Sequence, residues 1–148
     1  MKVELKNIKI HRDMSEETTC FSATLYIDGV KAAMVANRGT GGVHDIHFLM
    51  DTSDLHRRFN EWVDEQPPLD LGSHAIPADV DVVIDRLLDQ YEITRQHKRW
   101  CSKGLTFRLK SDAEGSYRQL KVKYTLKLAE ALRQEHGEQL ETILNETI

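Results

Sequence analysis

Apolar residues in the first forty positions recur at every second place. Val3 and Leu5 are followed by Ile8 and Ile10, so the phase slips at Lys6–Asn7, which predicts a first strand with a bulge. Phe21, Ala23, Leu25 and Ile27 point one way, while Ser22, Thr24 and Tyr26 point the other. Asp28-Gly29 then separates Ile27 from Val30. Two-residue hairpin turns need positive φ at both central positions, so this pair predicts a hairpin, with "VKAAMVAN" as the return strand.

The period then changes. Leu55, Phe59, Trp62 and Val63 fall at i, i+4, i+7 and i+8, which predicts a helix capped by Ser53 or Asp51 and stopped by Pro67–Pro68. "QPPLDLGSHAIP", residues 66–77, holds all three prolines and reads as a linker or surface loop. A longer helix is expected over about 77–103. Val80, Val83, Ile84, Leu87, Leu88 and Tyr91 form its apolar stripe, and Gly104 offers a left-handed stop. Its acids Asp79, Asp81 and Asp85 gather at the N-terminal end and Lys98, Arg99 and Lys103 at the C-terminal end, as the helix dipole favours.

The last third mixes both periods. "LTFRLK" and "YRQLKVKY" read as a strand pair around the turn "SDAEGS". Thr125 is placed to cap a short helix with Leu128, Ala131 and Leu132 inward and Gly137 at its end. "LETILNETI" closes as a short strand or an extended tail. The order βββ-αα-ββαβ predicts an α+β fold in one domain over residues 1–148. It has an antiparallel sheet of about five or six strands and three helices.

Composition narrows the class. With 40% hydrophobic and 30% charged residues the chain is globular, and it contains no apolar run long enough to span a membrane. "MKVELKNIKIH" lacks the apolar core of a signal peptide, so a cytoplasmic protein is expected. Cys20 and Cys101 make neither a disulfide framework nor a CxxC pair. The formal charge of −4 hides a strong asymmetry. Residues 95–133 carry eleven Lys or Arg against three acids, a balance of +8; residues 1–94 balance at −8 and residues 134–148 at −4.

Three motifs invite chemistry. Asn37 to Phe48, "NRGTGGVHDIHF", packs three glycines and two histidines into twelve residues. Asn37, Arg38, Gly39, Gly41, Gly42 and His44 are its candidate contacts. A bend that uses glycine for positive φ is the simplest reading; a partner-binding loop and a phosphate cradle are the alternatives. The loop has neither GK[ST] nor GxGxxG, and "VHDIHF" does not open a helix in the register a cradle needs. His44, His47, His56 and His74 lie within thirty-one residues but form no HExxH and no HxH, so no metal ligands are assigned. Asp45, between them in sequence, is the candidate acid acceptor to orient His44 or His47. Cys101 and His97 at i, i+4 form the one pair resembling a nucleophile and base, and no third group orients them. No catalytic residue and no cofactor is therefore expected.

The hairpin run "SEETTCFSATLYIDGVKA" and the glycines after Asn37 resemble a family of small proteins from phages, prophages and plasmids of Gram-negative bacteria. So do "LTFRLK", the Tyr–Lys strand, the short helix and "ILNETI". The resemblance covers nearly the whole chain and implies an accessory protein of a mobile element. It carries no activity, cofactor or catalytic residue. Where that family often has Cys or Asn after the two glycines, this chain has Val43 and His44.

The basic segment points to a partner. Arg95, Lys98, Arg99, Trp100 and Lys103 crowd the end of the long helix, and Arg108, Lys110, Arg118, Lys121 and Lys123 lie on the expected strand pair. Arg108 and Lys110 would share its polar face with Lys121 and Lys123, while Phe107, Leu109, Leu120 and Val122 take the other. Such a face tracks phosphates or an acidic protein, unless acids of the earlier helices neutralise it. The function expected is that of a non-catalytic accessory protein binding a host or mobile-element macromolecule, with inhibition of a host nucleoprotein or defence complex as one form that binding would take. The alternatives are a direct binder of single- or double-stranded nucleic acid and a small metal-dependent enzyme using the glycine–histidine loop. No membrane partner is expected.

Overall fold

The computed structural model describes residues 1–148 and is α+β. It divides into two compact units, Met1–Asp89 and Gln90–Ile148.

The first unit is built on a four-stranded antiparallel sheet, β1 (Val3–Ile10), β2 (Phe21–Ile27), β3 (Val30–Asn37) and β4 (Asp45–Phe48), in sequence order. The register shifts between Lys6 and Lys9, and Asn7 takes a φ of 54°, so the slipped phase is a bulge. Asp28 and Gly29 take φ of 49° and 80°, the positive pair expected of a two-residue hairpin. The Asp28 carboxylate also accepts from the Lys2 backbone N–H at 2.8 Å and from Arg58 at 2.9 Å.

β4 was not expected as a strand. Only its inner residues Ile46 and Phe48 join the core, too short an alternation to read alone. α1 (Ser53–Asp64) buries Phe59 and Val63. Its N-cap is Thr52, not Ser53 or Asp51, and the Thr52 hydroxyl donates to the Leu49 carbonyl instead of accepting from the helix. The proline stretch is not wholly loop: Leu69–Asp70 (β5) and Ala75–Ile76 (β6) form a two-residue ribbon. α2 (Val80–Lys103) starts where the Asp79 carboxylate accepts from Val82 N–H at 2.9 Å. Val83, Ile84 and Leu88 of its first part pack with Phe59, Val63 and the inner face of β2 and β3. Phe59 and Ile84 are wholly buried. Each such side chain stabilises by ~1.5–3 kcal/mol, enough to seat its helix.

The second unit has its own three-stranded sheet, in the order β8 (Arg118–Leu120), β7 (Leu105–Leu109) and β9 (Leu140–Ile143). There is thus no single sheet of five or six strands. α3 (Leu126–His136) opens on the expected Thr125 cap, whose hydroxyl accepts from Leu128 N–H at 3.2 Å, and ends at Gly137 with φ 55°. Its inward residues are Ala129 and Leu132; Leu128 and Ala131 are exposed. Leu105, Phe107, Leu109 and Ile143 complete that core. "ILNETI" acts as a brace. Asn145 accepts from Thr106 N–H at 2.8 Å and donates to the Gly104 carbonyl at 3.2 Å and the Cys101 carbonyl at 3.4 Å.

Gly104 does not make a left-handed stop. It is buried, and a Cβ there would collide with the Leu120 carbonyl. The residue is glycine because two backbones nearly touch, not because φ is positive. No helix is long and apolar enough to cross a membrane.

Candidate functional site

The glycine loop is a bend, and its chemistry is turned inward. The buried Asn37 side chain organises it. Its Oδ1 accepts from Thr18 Oγ1 at 2.6 Å and from Gly39 N–H at 2.8 Å. The Gly39 carbonyl in turn accepts from the N–H groups of Glu16, Glu17 and Thr18 at 2.8, 3.0 and 3.3 Å. The "SEET" run and the glycine run are thus two halves of one interlock. Gly39 sits at φ 86°, and a Cβ there would meet the Met14 carbonyl and lie 2.8 Å from Cys20 Cβ. The N–H groups of Gly39 and Gly41 are already bonded, to Asn37 Oδ1 and Thr18 Oγ1, and Glu16, Glu17, Asp81 and Asp85 line the adjoining cavity of about 460 Å³. Both facts disfavour a phosphate cradle.

His44 closes this interlock. Asn37 Nδ2 lies 3.1 Å from His44 Nδ1, and His44 Nε2 lies 2.7 Å from Asp85 Oδ1. Because Asn37 Oδ1 is held by two donors, its Nδ2 must be the donor to Nδ1. That assigns the Nε2–H tautomer, which donates to Asp85. Asp81 accepts from the His44 backbone N–H at 3.0 Å. The orienting acids are therefore Asp81 and Asp85 of α2, not Asp45. Both ring nitrogens are committed, and neither is left to serve as a base. No three His, Cys, Asp or Glu side chains converge as a metal-binding set. Arg38 is exposed beside the loop.

The Cys101–His97 pair does not form a nucleophile with its base. His97 stacks at 5.6 Å on Trp100 and meets Tyr117 edge-on at 5.1 Å. Burial pushes the Cys101 thiol above its ordinary range, with a Thr106 hydrogen bond opposing in part. A thiol so shifted is a poor nucleophile.

The basic segment separates into spent and free cations. Arg108 is spent: it pairs with Glu141 and donates to the carbonyls of Ala113, of Ser116 at 3.0 Å and of Asp112 at 2.9 Å. Its side chain is only 15% exposed, so it does not lie on an open polar face with Lys110. Arg118 bonds both oxygens of Asp112 at 2.9–3.3 Å. That contact and the Leu109 N–H hold the Asp112 carboxyl below the usual aspartate range. Arg133 pairs with Glu130 and Glu146. The neutralising acids are therefore local to the second unit, and eight of the eleven cations stay unneutralised by them: Arg95, Lys98, Arg99, Lys103, Lys110, Lys121, Lys123 and Lys127. All eight are exposed, and Arg95 lies over the Tyr91 ring at 5.6 Å.

Three of these cations converge. β8 stops at Leu120, so Lys121 and Lys123 do not extend the strand pair. A Val122 N–H to Leu120 carbonyl bond of 2.8 Å turns the chain, and the Val122 carbonyl accepts from Leu105 N–H at 2.9 Å. The close approach at Gly104 lets this segment run beside the last turn of α2. The result is a groove of about 520 Å³ lined by Ser102, Lys103, Lys121, Val122, Lys123 and Tyr124 together with Cys101 and Gly104. Close by in sequence on both walls, His97, Trp100 and Tyr117 form a triangle of half-buried rings, with Trp100 and Tyr117 5.7 Å apart. Gln119 Nε2 donates to the Trp100 carbonyl at 2.5 Å. Sequence reasoning found the lysines and Trp100. It missed the groove and Tyr117, because the alternation of "KVK" hides the turn after Leu120 and the bond that seats that turn, Leu105 N–H to the Val122 carbonyl, joins residues far apart in sequence.

No protein-family model, curated protein or solved structure matches the chain.

Proposed function

We propose that the protein is a non-catalytic binding protein whose second unit presents a lysine-lined groove to a polyanionic macromolecule. The observation that carries this reading is the convergence of Lys103, Lys121 and Lys123 on one groove with no carboxylate in its lining. Three like charges side by side disfavour the free state and favour an anion that releases counterions on binding. The inward-turned chemistry of the His44 loop supports a non-catalytic role, since its donors are used to brace the fold. In the setting that the sequence resemblance implies, this is an accessory protein of a phage or plasmid, acting in the cytoplasm on a host or mobile-element macromolecule.

Fluorescence anisotropy with labelled heparin, a polyanion without bases, tests the groove. Binding at about 50 mM salt is expected to weaken steeply towards about 200 mM. Lys103→Ala/Lys121→Ala/Lys123→Ala is expected to bind at least about tenfold more weakly and to flatten the salt slope by about 2–3. Unchanged binding by that variant, or no binding at the lower salt, overturns the proposal.

A further inference from the structure

Resting on the groove reading above, we infer that the polyanion is a single-stranded nucleic acid whose bases stack on the ring triangle of Trp100, Tyr117 and His97. The rings and the lysines occupy the same two chain segments. Trp100 lies one helical turn before Lys103, a rise of ~4.5 Å along α2. Tyr117 lies four residues before Lys121, at most ~13 Å of extended chain. At ~3.4 Å per stacked step these distances match a run of a few nucleotides, with phosphates on the lysines and bases on the rings.

The rings are also pre-ordered. Each touches the other two at centroid distances of 5.1 to 5.7 Å, and Gln119 ties the Trp100 backbone to the strand that follows Tyr117. All three remain partly exposed, so a base meets a fixed aromatic surface and little side-chain freedom is lost on stacking. A duplex hides its bases in its own stack and engages only the lysines. An acidic peptide satisfies the same lysines and offers nothing planar to the rings. The combination of free cations and a half-exposed aromatic cluster therefore selects the single strand over both.

Competition against a labelled oligo(dT) decides the matter on the unmodified protein. An abasic strand of equal length keeps every phosphate and lacks the bases. It is expected to compete on the order of tenfold more weakly than oligo(dT), the range that stacking of a single base provides. Trp100→Leu is expected to lose a similar factor for oligo(dT) and to keep its heparin affinity. Equal competition by the abasic strand overturns the stacking inference and leaves the groove standing. So does displacement by polyglutamate of equal charge as readily as by oligo(dT), or an equal loss of heparin and oligo(dT) binding in Trp100→Leu. If the triple lysine variant keeps both affinities, the groove reading itself fails. Should Trp100→Leu not fold, the abasic comparison still decides.

Discussion

Arg108→Ala is expected to destabilise the second unit by about 2–3 kcal/mol, because a charged group with several hydrogen bonds is removed from a largely covered position. The guanidinium gathers the carbonyls of Asp112, Ala113 and Ser116 and pairs with Glu141. It thereby joins the turn after β7 to β9. Without it, these carbonyls have only solvent to turn to, and the turn loses its anchor. Lys110→Ala/Lys121→Ala/Lys123→Ala makes the control, since all three side chains are exposed and free of ion pairs. That variant is expected to stay within about 0.5 kcal/mol of the parent. Urea unfolding monitored with amide exchange in β7 and β9 separates the two. Equal stability of both variants would mean that Arg108 is merely another surface cation.

Gly39→Ala is expected to cost about 2–4 kcal/mol in the first unit, combining a left-handed backbone with a backbone clash. The added Cβ would run into the Met14 carbonyl and crowd Cys20. Relief requires moving Met14–Thr18, in which the N–H groups of Glu16, Glu17 and Thr18 hold the Gly39 carbonyl. Gly42→Ala isolates the conformational part. Gly42 has φ 82° but nothing within 4 Å of an added Cβ, so about 1–2 kcal/mol is expected there. Thermal melting of the two variants checks the difference. If they melt together, the interlock between the "SEET" run and the glycine run is not what makes Gly39 necessary.

Local rules made much of the fold legible. The bulge at Lys6–Asn7, the Asp28-Gly29 hairpin, the Thr125 cap and the Gly137 stop each depend on a few neighbouring residues, and each stands in the structure. The apolar stripe of α2 was equally readable, because Val83, Ile84 and Leu88 repeat at the helical period.

What escaped depends on long-range pairing. Whether strands join one sheet or two is decided by which edges meet, and alternation along a strand does not encode that. β4 shows four residues of alternation inside a glycine-rich stretch, so its pairing with β3 had no independent signal. The partners of His44 lie 37 and 41 residues away in sequence, which is why Asp45 stood out and Asp81 and Asp85 did not. Arg108 shows how a correct period can mislead. Alternation places it on the polar face of β7, yet the turn folds its own carbonyls over the guanidinium. The segment after Leu120 errs in the other direction: "KVK" keeps a strand's alternation, and one backbone bond turns it into the wall of a groove.

The central claim is that a polyanion enters the lysine groove of the second unit, and chemical-shift mapping tests it most directly. Titrating isotopically labelled protein with oligo(dT) at low salt is expected to move the amides of residues 97–103 and 117–124 and the Trp100 indole N–H. Residues 1–89, including His44 and the glycine loop, are expected to stay in place. Shifts confined to residues 1–89, or none at any ligand concentration, would contradict the account.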